Sequence, residues 1–314
     1  MVDLSRGTTN AASLLPKEIS QEIWADAQES SAVMQLATPI RVPGSGLTIP
    51  IITGDASADW VAETAAKPVS RATLDKKVMT PYKLALIETF SDEFRRDLPG
   101  VYEELRRRLP GAIAKKFDST VFGTTAPGSG FDTLGAATAV PIGPHATDVK
   151  KNTYSGLVKA YTDIAAASGT LDGWALSSQA KGLLLGQVDS TGRPLLFNDI
   201  QAGSPVGSLL GEPVYYTQGV YAAGSPATIG FAGDWASTYY GTVEGIKVDI
   251  SNQASIVDGT TSVTVGGGGT GTVTVPNVIN LWQQNMFAVL VEVEIGFVAR
   301  DVNRFRKITN ATIS

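Results

Sequence analysis

Between Leu47 and Phe90 the chain reads as β-structure yet offers almost nothing to bury. Leu47-Thr48-Ile49-Pro50-Ile51-Ile52 is strand-like, and Thr53-Gly54-Asp55 signals a turn. A polar stretch follows, carrying Trp60-Val61-Ala62-Glu63 and Ala65-Ala66-Lys67-Pro68. The return path is weak over Thr73–Met79 and stronger over Tyr82–Phe90. An isolated hairpin is marginal in water. A two-stranded excursion this long and this poor in core is therefore expected to be held by a neighbouring molecule.

The rest of the chain divides around it. Residues 1–46 look like an extended arm with one helix, Glu18–Ala27, little core of its own, and a break at Pro43-Gly44-Ser45-Gly46. Ser91-Asp92-Glu93 caps a helix over 99–122, in which Val101, Leu105, Leu109, Ile113, Phe117 and Val121 recur every four residues. Pro110-Gly111 should kink it. Arg106, Arg107 and Arg108 colour its other face, as a solvated surface or as a contact for acidic partners. Gly123–Pro144 reads as a loop.

From residue 151 the pattern is more regular. Tyr154–Ala167 is expected to be a helix with Leu157, Tyr161 and Ile164 on one side. Trp174–Ser177 should be a strand, and Ser178–Gln187 a second helix. Strands are expected at Ile229–Phe231 and Ile246–Ile250. Two β-branched runs, Thr261–Val265 and Thr272–Val275, flank Gly266–Gly269 and predict a hairpin over 259–276. A phosphate-cradling loop would need a lysine and a following helix, and neither is there. Phe287–Val298 alternates as a long strand and leads into a basic tail of Arg300, Arg304, Arg306 and Lys307.

Composition removes several functions. With Lys+Arg 25 against Asp+Glu 30, the net charge is −5, which argues against a groove built to neutralise phosphates. There is no cysteine, so disulfides and thiolate metal sites are excluded. The one histidine, His145, falls in a Pro/Gly-rich stretch and reads as a loop residue, which leaves no metal site or cofactor to expect. No apolar run approaches the roughly 20 residues that cross a bilayer, and the N-terminus lacks a signal-peptide layout. The expectation is a soluble protein of mixed α and β structure, made in the cytoplasm, with no membrane partner.

The order of segments resembles a known family. Arm, long excursion, spine-like helix, compact mixed domain and returning long strand are laid out as in the major capsid proteins of tailed bacteriophages with the Hong Kong 97 fold. Trp60-Val61-Ala62-Glu63 with Lys67-Pro68 resembles the tip of that family's extended loop, and Glu88–Glu93 its passage from strand to spine. Asp189–Leu195 followed by Leu210-Gly211-Glu212-Pro213-Val214 is similar to its axial-domain loop and the strand after it. Gln284-Asn285-Met286 leading to Glu292-Val293-Glu294 is similar to the last strand of its peripheral domain.

The resemblance implies an α+β Hong Kong 97-type fold with an N-terminal arm (1–46), an extended β-hairpin loop (47–84), and a peripheral domain with a long spine helix (85–150 and 245–314, hairpin 259–276 inserted). Residues 151–244 would be the axial domain. It implies a non-enzymatic subunit that forms hexamers and pentamers of an icosahedral or prolate head around double-stranded DNA. Trp60, Glu63, Lys67, Arg106, Arg107 and Arg108 would contact neighbours. Its partners would be further copies of itself, a portal, a separate scaffolding protein (the chain opens at Met1 with its arm) and, as a further candidate, a decoration protein. The location implied is the virion, after assembly in the host cytoplasm.

Some members join subunits covalently, a lysine attacking an asparagine carboxamide with a glutamate as base. The matching positions are Lys67, Asn285 and Glu292. Seven residues apart, Asn285 and Glu292 would point to opposite faces of a regular strand, which suits a site drawn from different subunits. An uncrosslinked shell with Lys67 in an inter-subunit ion pair fits the same residues. Three other readings stand beside this one: an encapsulin-type bacterial cage of the same fold, a soluble hydrolase using Glu292/Glu294 or Asp92/Glu93, and a β-rich adhesin or tail-decoration protein.

Overall fold

Strand formation is most firmly dictated where apolar residues alternate, and the longest strand forms there, at Met286–Ala299. The computed structural model describes residues 17–313 except 55–57, 62, 64–65, 68, 72, 94–97, 144–152, 187–206 and 266–270. His145, the Asp189–Leu195 loop and the glycine run 266–269 lie outside the described residues.

In chain order, α1 (Lys17–Ser30) and α2 (Ala32–Leu36) precede β1 (Thr38–Arg41), β2 (Leu47–Gly54), β3 (Thr73–Met79), β4 (Tyr82–Ser91) and α3 (Leu98–Val121). Then come β5 (Thr138–Gly143), α4 (Thr153–Ala166), β6 (Gly173–Leu176), α5 (Ser178–Leu185), β7 (Gly207–Leu209), β8 (Glu212–Tyr216), β9 (Thr228–Gly233) and β10 (Thr238–Thr242). Last are β11 (Lys247–Ser251), β12 (Ser255–Val265), β13 (Gly271–Asn280), β14 (Met286–Ala299) and β15 (Phe305–Thr312).

The described residues form two compact units. The first draws on Met1–Ala25, Lys83–Pro110 and Glu244–Val293; the second on Asp26–Tyr82, Gly111–Val243 and Glu294–Ser314. In the first, the leading half of β14 pairs antiparallel with β11, from Lys247 opposite Glu292 to Ser251 opposite Ala288. β4 also pairs with β14, so Tyr82–Phe90 is a sheet strand and not the far arm of the excursion. Phe90 stacks on Phe287 with ring centroids 5.5 Å apart. β12 and β13 form a separate two-stranded sheet, longer at both ends than the sequence pattern suggests.

The second unit holds a six-stranded sheet in the order β5-β15-β9-β6-β8-β7. β15 lies inside it, parallel to β5 and antiparallel to β9. Two expectations are corrected here. The stretch 123–144 contains a strand, β5, in spite of Pro141 and Gly143. The basic residues 304–307 are no free tail, because they enter a sheet and their charges are met: Arg304 Nη1 lies 3.0 Å from Asp234 Oδ2, and Arg306 Nη2 donates to the Asp163 carbonyl at 2.7 Å.

α4 covers this sheet with Leu157, Ala160 and Ile164 buried, while Tyr161 points outward. The buried face runs i, i+3, i+7 through Ala160, which leaves Tyr161 on the outer side. Trp174 is fully buried, and its indole N–H donates to the Leu209 carbonyl at 3.1 Å, which satisfies its one polar atom. Phe122, Trp235 and Phe305 pack as successive edge-to-face pairs beneath.

The C-terminal half of α3 belongs to the same unit, with Ile113, Phe117 and Val121 buried as their four-residue spacing requires. A carboxylate, Asp118, is buried on this helix. It accepts from the amides of Ala32 at 3.1 Å and Val33 at 3.4 Å and from the Ser31 hydroxyl. These are the amides that α2 cannot satisfy within itself, and Ser31 Oγ takes the next one, Met34 N–H, at 3.2 Å. The arm therefore does acquire core: Ala27, Ala32, Val33, Met34 and Val42 are all buried.

Candidate functional site

The excursion divides into an anchored base and a bare end. β2 pairs with β3 from Leu47 opposite Met79 to Gly54 opposite Thr73. At the base Met79 is fully buried with Val42 and Val298, against Ile40, Leu47, Ile49 and Tyr239. Two glycines make room for it: a Cβ on Gly241 would lie 2.7 Å from the Met79 sulfur, and one on Gly296 2.9 Å from its Cγ. Lys77 adds polar ties, its Nζ 2.7 Å from Asp132 Oδ2 and 2.6 Å from the Ala299 carbonyl. The sequence pattern understated this anchoring, because the small residues that receive Met79 lie far along the chain.

Beyond Gly54 the character changes. Trp60 is fully exposed and Val69 is 84% exposed, with Glu63 and Lys67 also on the surface. Leaving a tryptophan in water forfeits about 2–3 kcal/mol of burial.

The other expected residues lie in the first unit. Arg108 Nη1 lies 3.3 Å from Glu88 Oε1, so the third arginine of the triplet is engaged within its own subunit. Arg106 and Arg107 are in α3, with side chains outside the described residues. Asn285 is exposed, has a φ of 52°, and receives the Asp92 amide on its carbonyl at 2.8 Å. It therefore sits in the turn before β14, and the two-residue strand period does not apply to it as the sequence suggested.

Glu292 lies mid-strand, half-buried, with Lys83 Nζ 3.1 Å from its Oε2. Lys247 stands opposite it on β11. Lys247 in turn meets Asp249 at 2.9 Å, and that hydrogen bond, with the charges of Asp249 and Glu292, raises its pKa. Sequence reasoning missed Lys83 and Lys247 as the companions of Glu292, since strand register and not spacing brings them there. Lys67 belongs to the other compact unit. Among the described residues no cluster of acidic or histidine side chains could hold a metal ion, and no helix is long and apolar enough to cross a membrane.

The phage capsid family model matches residues 11–310, nearly the whole chain. The chain belongs to the phage capsid family. This capsid subunit is 30% identical over 308 residues to the probable major capsid protein gp17 of Mycobacterium phage L5, covering 94% of this chain and 89% of that one. It is 29% identical over 318 residues to the corresponding protein of Mycobacterium phage D29, covering 97% and 92%. A solved structure from Mycobacterium phage Adephagia matches at a TM-score of 0.68, covering 91% of each chain at 19% identity. The capsid subunit thus has the α+β Hong Kong 97-type fold. It is a structural shell protein of the virion, working by homo-oligomeric assembly and not by catalysis.

Proposed function

We propose that this subunit forms hexamers and pentamers that close into an icosahedral or prolate head around double-stranded DNA. The observation that carries the reading is the exposed Trp60 end of an otherwise anchored hairpin. Repeated contacts of one surface with a different surface on the next copy make rings when the rotation closes. In this assembly 47–84 is the extended loop reaching over a neighbour, 151–244 the axial domain, and 85–150 with 245–314 the peripheral domain. Residues 1–46 are the arm. Trp60, Glu63, Lys67 and the Arg106–Arg108 face contact neighbouring copies. A separate scaffolding protein and a portal take part, a decoration protein is a further partner, and assembly takes place in the host cytoplasm. Relatives from phages favour a genome-filled head over an enzyme-loaded cage.

Negative-stain microscopy of the purified, assembled protein is the test. Closed shells are expected; a small oligomer on size exclusion with no shells would refute the reading.

Covalent joining through Lys67, Asn285 and Glu292 is the second part of the proposal. Neutral Lys67 Nζ attacks Asn285 Cγ, Glu292 takes the proton, and ammonia leaves as the amide forms. Asn285 sits in the turn before β14, and Glu292 lies six residues beyond the first residue of that strand, about 20 Å along it at roughly 3.3 Å each, so one copy's Asn285 and Glu292 cannot serve one bond. Asn285 and Glu292 must come from different copies, and Glu292 must exchange Lys83 for the incoming lysine. Denaturing gels of mature particles should show ladders above the monomer; monomer bands alone would refute the cross-link.

A further inference from the structure

We propose that the β12–β13 hairpin is a clasp that inserts against a second copy of this chain, which covers both of its faces. The inference rests on the shell reading, since it needs a neighbouring copy. Among the described residues these two strands pair only with each other, over Ser255–Val265 and Gly271–Asn280.

The register places apolar residues on both faces. Ile256 opposes Ile279 on one face, with Val275 two pairs of positions further along the same face of β13. Val257 opposes Val278 on the other face, 60% and 54% exposed. A strand with one face in water alternates apolar with polar, and adjacent apolar positions on both faces are the pattern of a strand covered on both sides. Here that pattern sits on a ribbon with one face open at Val257 and Val278, while on the other Ile256 and Ile279 are half-buried and Val275 is still 44% exposed. Two strands alone are marginally stable, so cover from outside is what this pattern needs. The Gly259 bulge between Val257 and Thr260, at a φ of 71°, adds twist to the ribbon.

The chemistry of the partner follows from charge. From Val248 to Ala299 there is no lysine or arginine, and Asp258 is the sole charge between Ser255 and Asn280. Nucleic-acid phosphates therefore have nothing to bind, and a strongly charged protein surface has nothing to complement. Long strand edges exposed in monomers are commonly blunted by lysine, and this hairpin has none. In a shell of identical subunits, the partner available to every such uncharged apolar ribbon is another copy.

A photo-cross-linking residue, p-benzoylphenylalanine, in place of Val278 tests this in assembled particles. Irradiation should yield a band at twice the chain mass beyond any present before irradiation, and the unassembled chain should yield none. The paired substitutions Val257→Glu and Val278→Glu should lower the yield of closed particles at least tenfold, with the melting temperature of the unassembled subunit unchanged. Wild-type chain that forms no particles even when co-expressed with its scaffolding protein would overturn the shell reading itself. Wild-type particles whose photo-probe gives no dimer, or an adduct with a different protein, would overturn the clasp alone. So would glutamate variants that assemble at the wild-type yield.

Discussion

The Ser31 hydroxyl donates to the buried carboxylate of Asp118 at 2.5 Å, joining the start of α2 to the last turn of α3 across 87 residues of sequence. The same carboxylate takes two amides of α2, so one side chain caps a helix of which it is not part. Asp118→Ala strands these donors in a buried site and should cost about 2–4 kcal/mol. Ser31→Ala removes one cap bond and should cost about 1 kcal/mol. Urea denaturation of the unassembled subunit compares the two; a larger cost for Ser31→Ala would contradict the assignment.

Burial pushes the Asp118 carboxyl up from 3.8 to about 6, with the hydrogen bonds from Ser31, Thr217, Ala32 and Val33 pulling the other way. A carboxyl with a raised folded-state pKa binds its proton more tightly when folded. Its contribution is fully present below pH 3.8 and is lost as pH rises through about 6, up to roughly 3 kcal/mol at 1.36 kcal/mol per unit. Burial raises Asp172 as well, in the same direction. The clean readout is the difference between wild type and Asp118→Asn. Wild type should lose stability relative to the variant as pH rises from 4 to 7, and a constant difference would contradict the shift.

Legibility followed the locality of the cause. β14 was readable because its odd-numbered residues from Phe287 to Phe297 alternate into buried positions without a gap. The C-terminal half of α3 was readable for the same reason at a four-residue period. β15 was not, because Arg306 and Lys307 break its apolar pattern and their partners, the Asp163 and Gly135 carbonyls, lie well over a hundred residues away. The tip residues Trp60 and Lys67 were legible as a loop, while the seat of Met79 was invisible. Asn285 was placed on a strand that starts one residue later. The β12–β13 hairpin showed itself through its glycines, but its two apolar faces depend on a register that only the fold supplies.

Two ion pairs should behave differently. Arg304 and Asp234 are 19% and 10% exposed. Arg304→Met leaves a nearly buried carboxylate without its guanidinium and should cost about 3 kcal/mol. Lys83 is 53% exposed against Glu292, so Lys83→Met should change stability by less than about 1 kcal/mol. Thermal melting of the two variants side by side would expose an error if the surface pair mattered as much as the buried one.

The last prediction concerns the base of the excursion. Gly296 and Gly241 sit on neighbouring strands, opposite one another in register, and both leave space that Met79 fills. An alanine Cβ at 296 would stand 2.9 Å from Met79 Cγ and 3.2 Å from the Thr80 carbonyl, so the methionine must shift. Overpacking of this kind costs about 1–3 kcal/mol. Met79→Ala empties a fully buried site and should cost about 2–5 kcal/mol by itself. If the two residues are coupled as the packing requires, the double variant Gly296→Ala, Met79→Ala should cost less than the two single changes combined, by about 1 kcal/mol or more. Hydrogen exchange should locate the loosening in Leu47–Ile51 and Asp75–Met79, because these strands hold the excursion to its own subunit. Strict additivity, or exchange unchanged in β2 and β3, would show that Met79 does not anchor the hairpin.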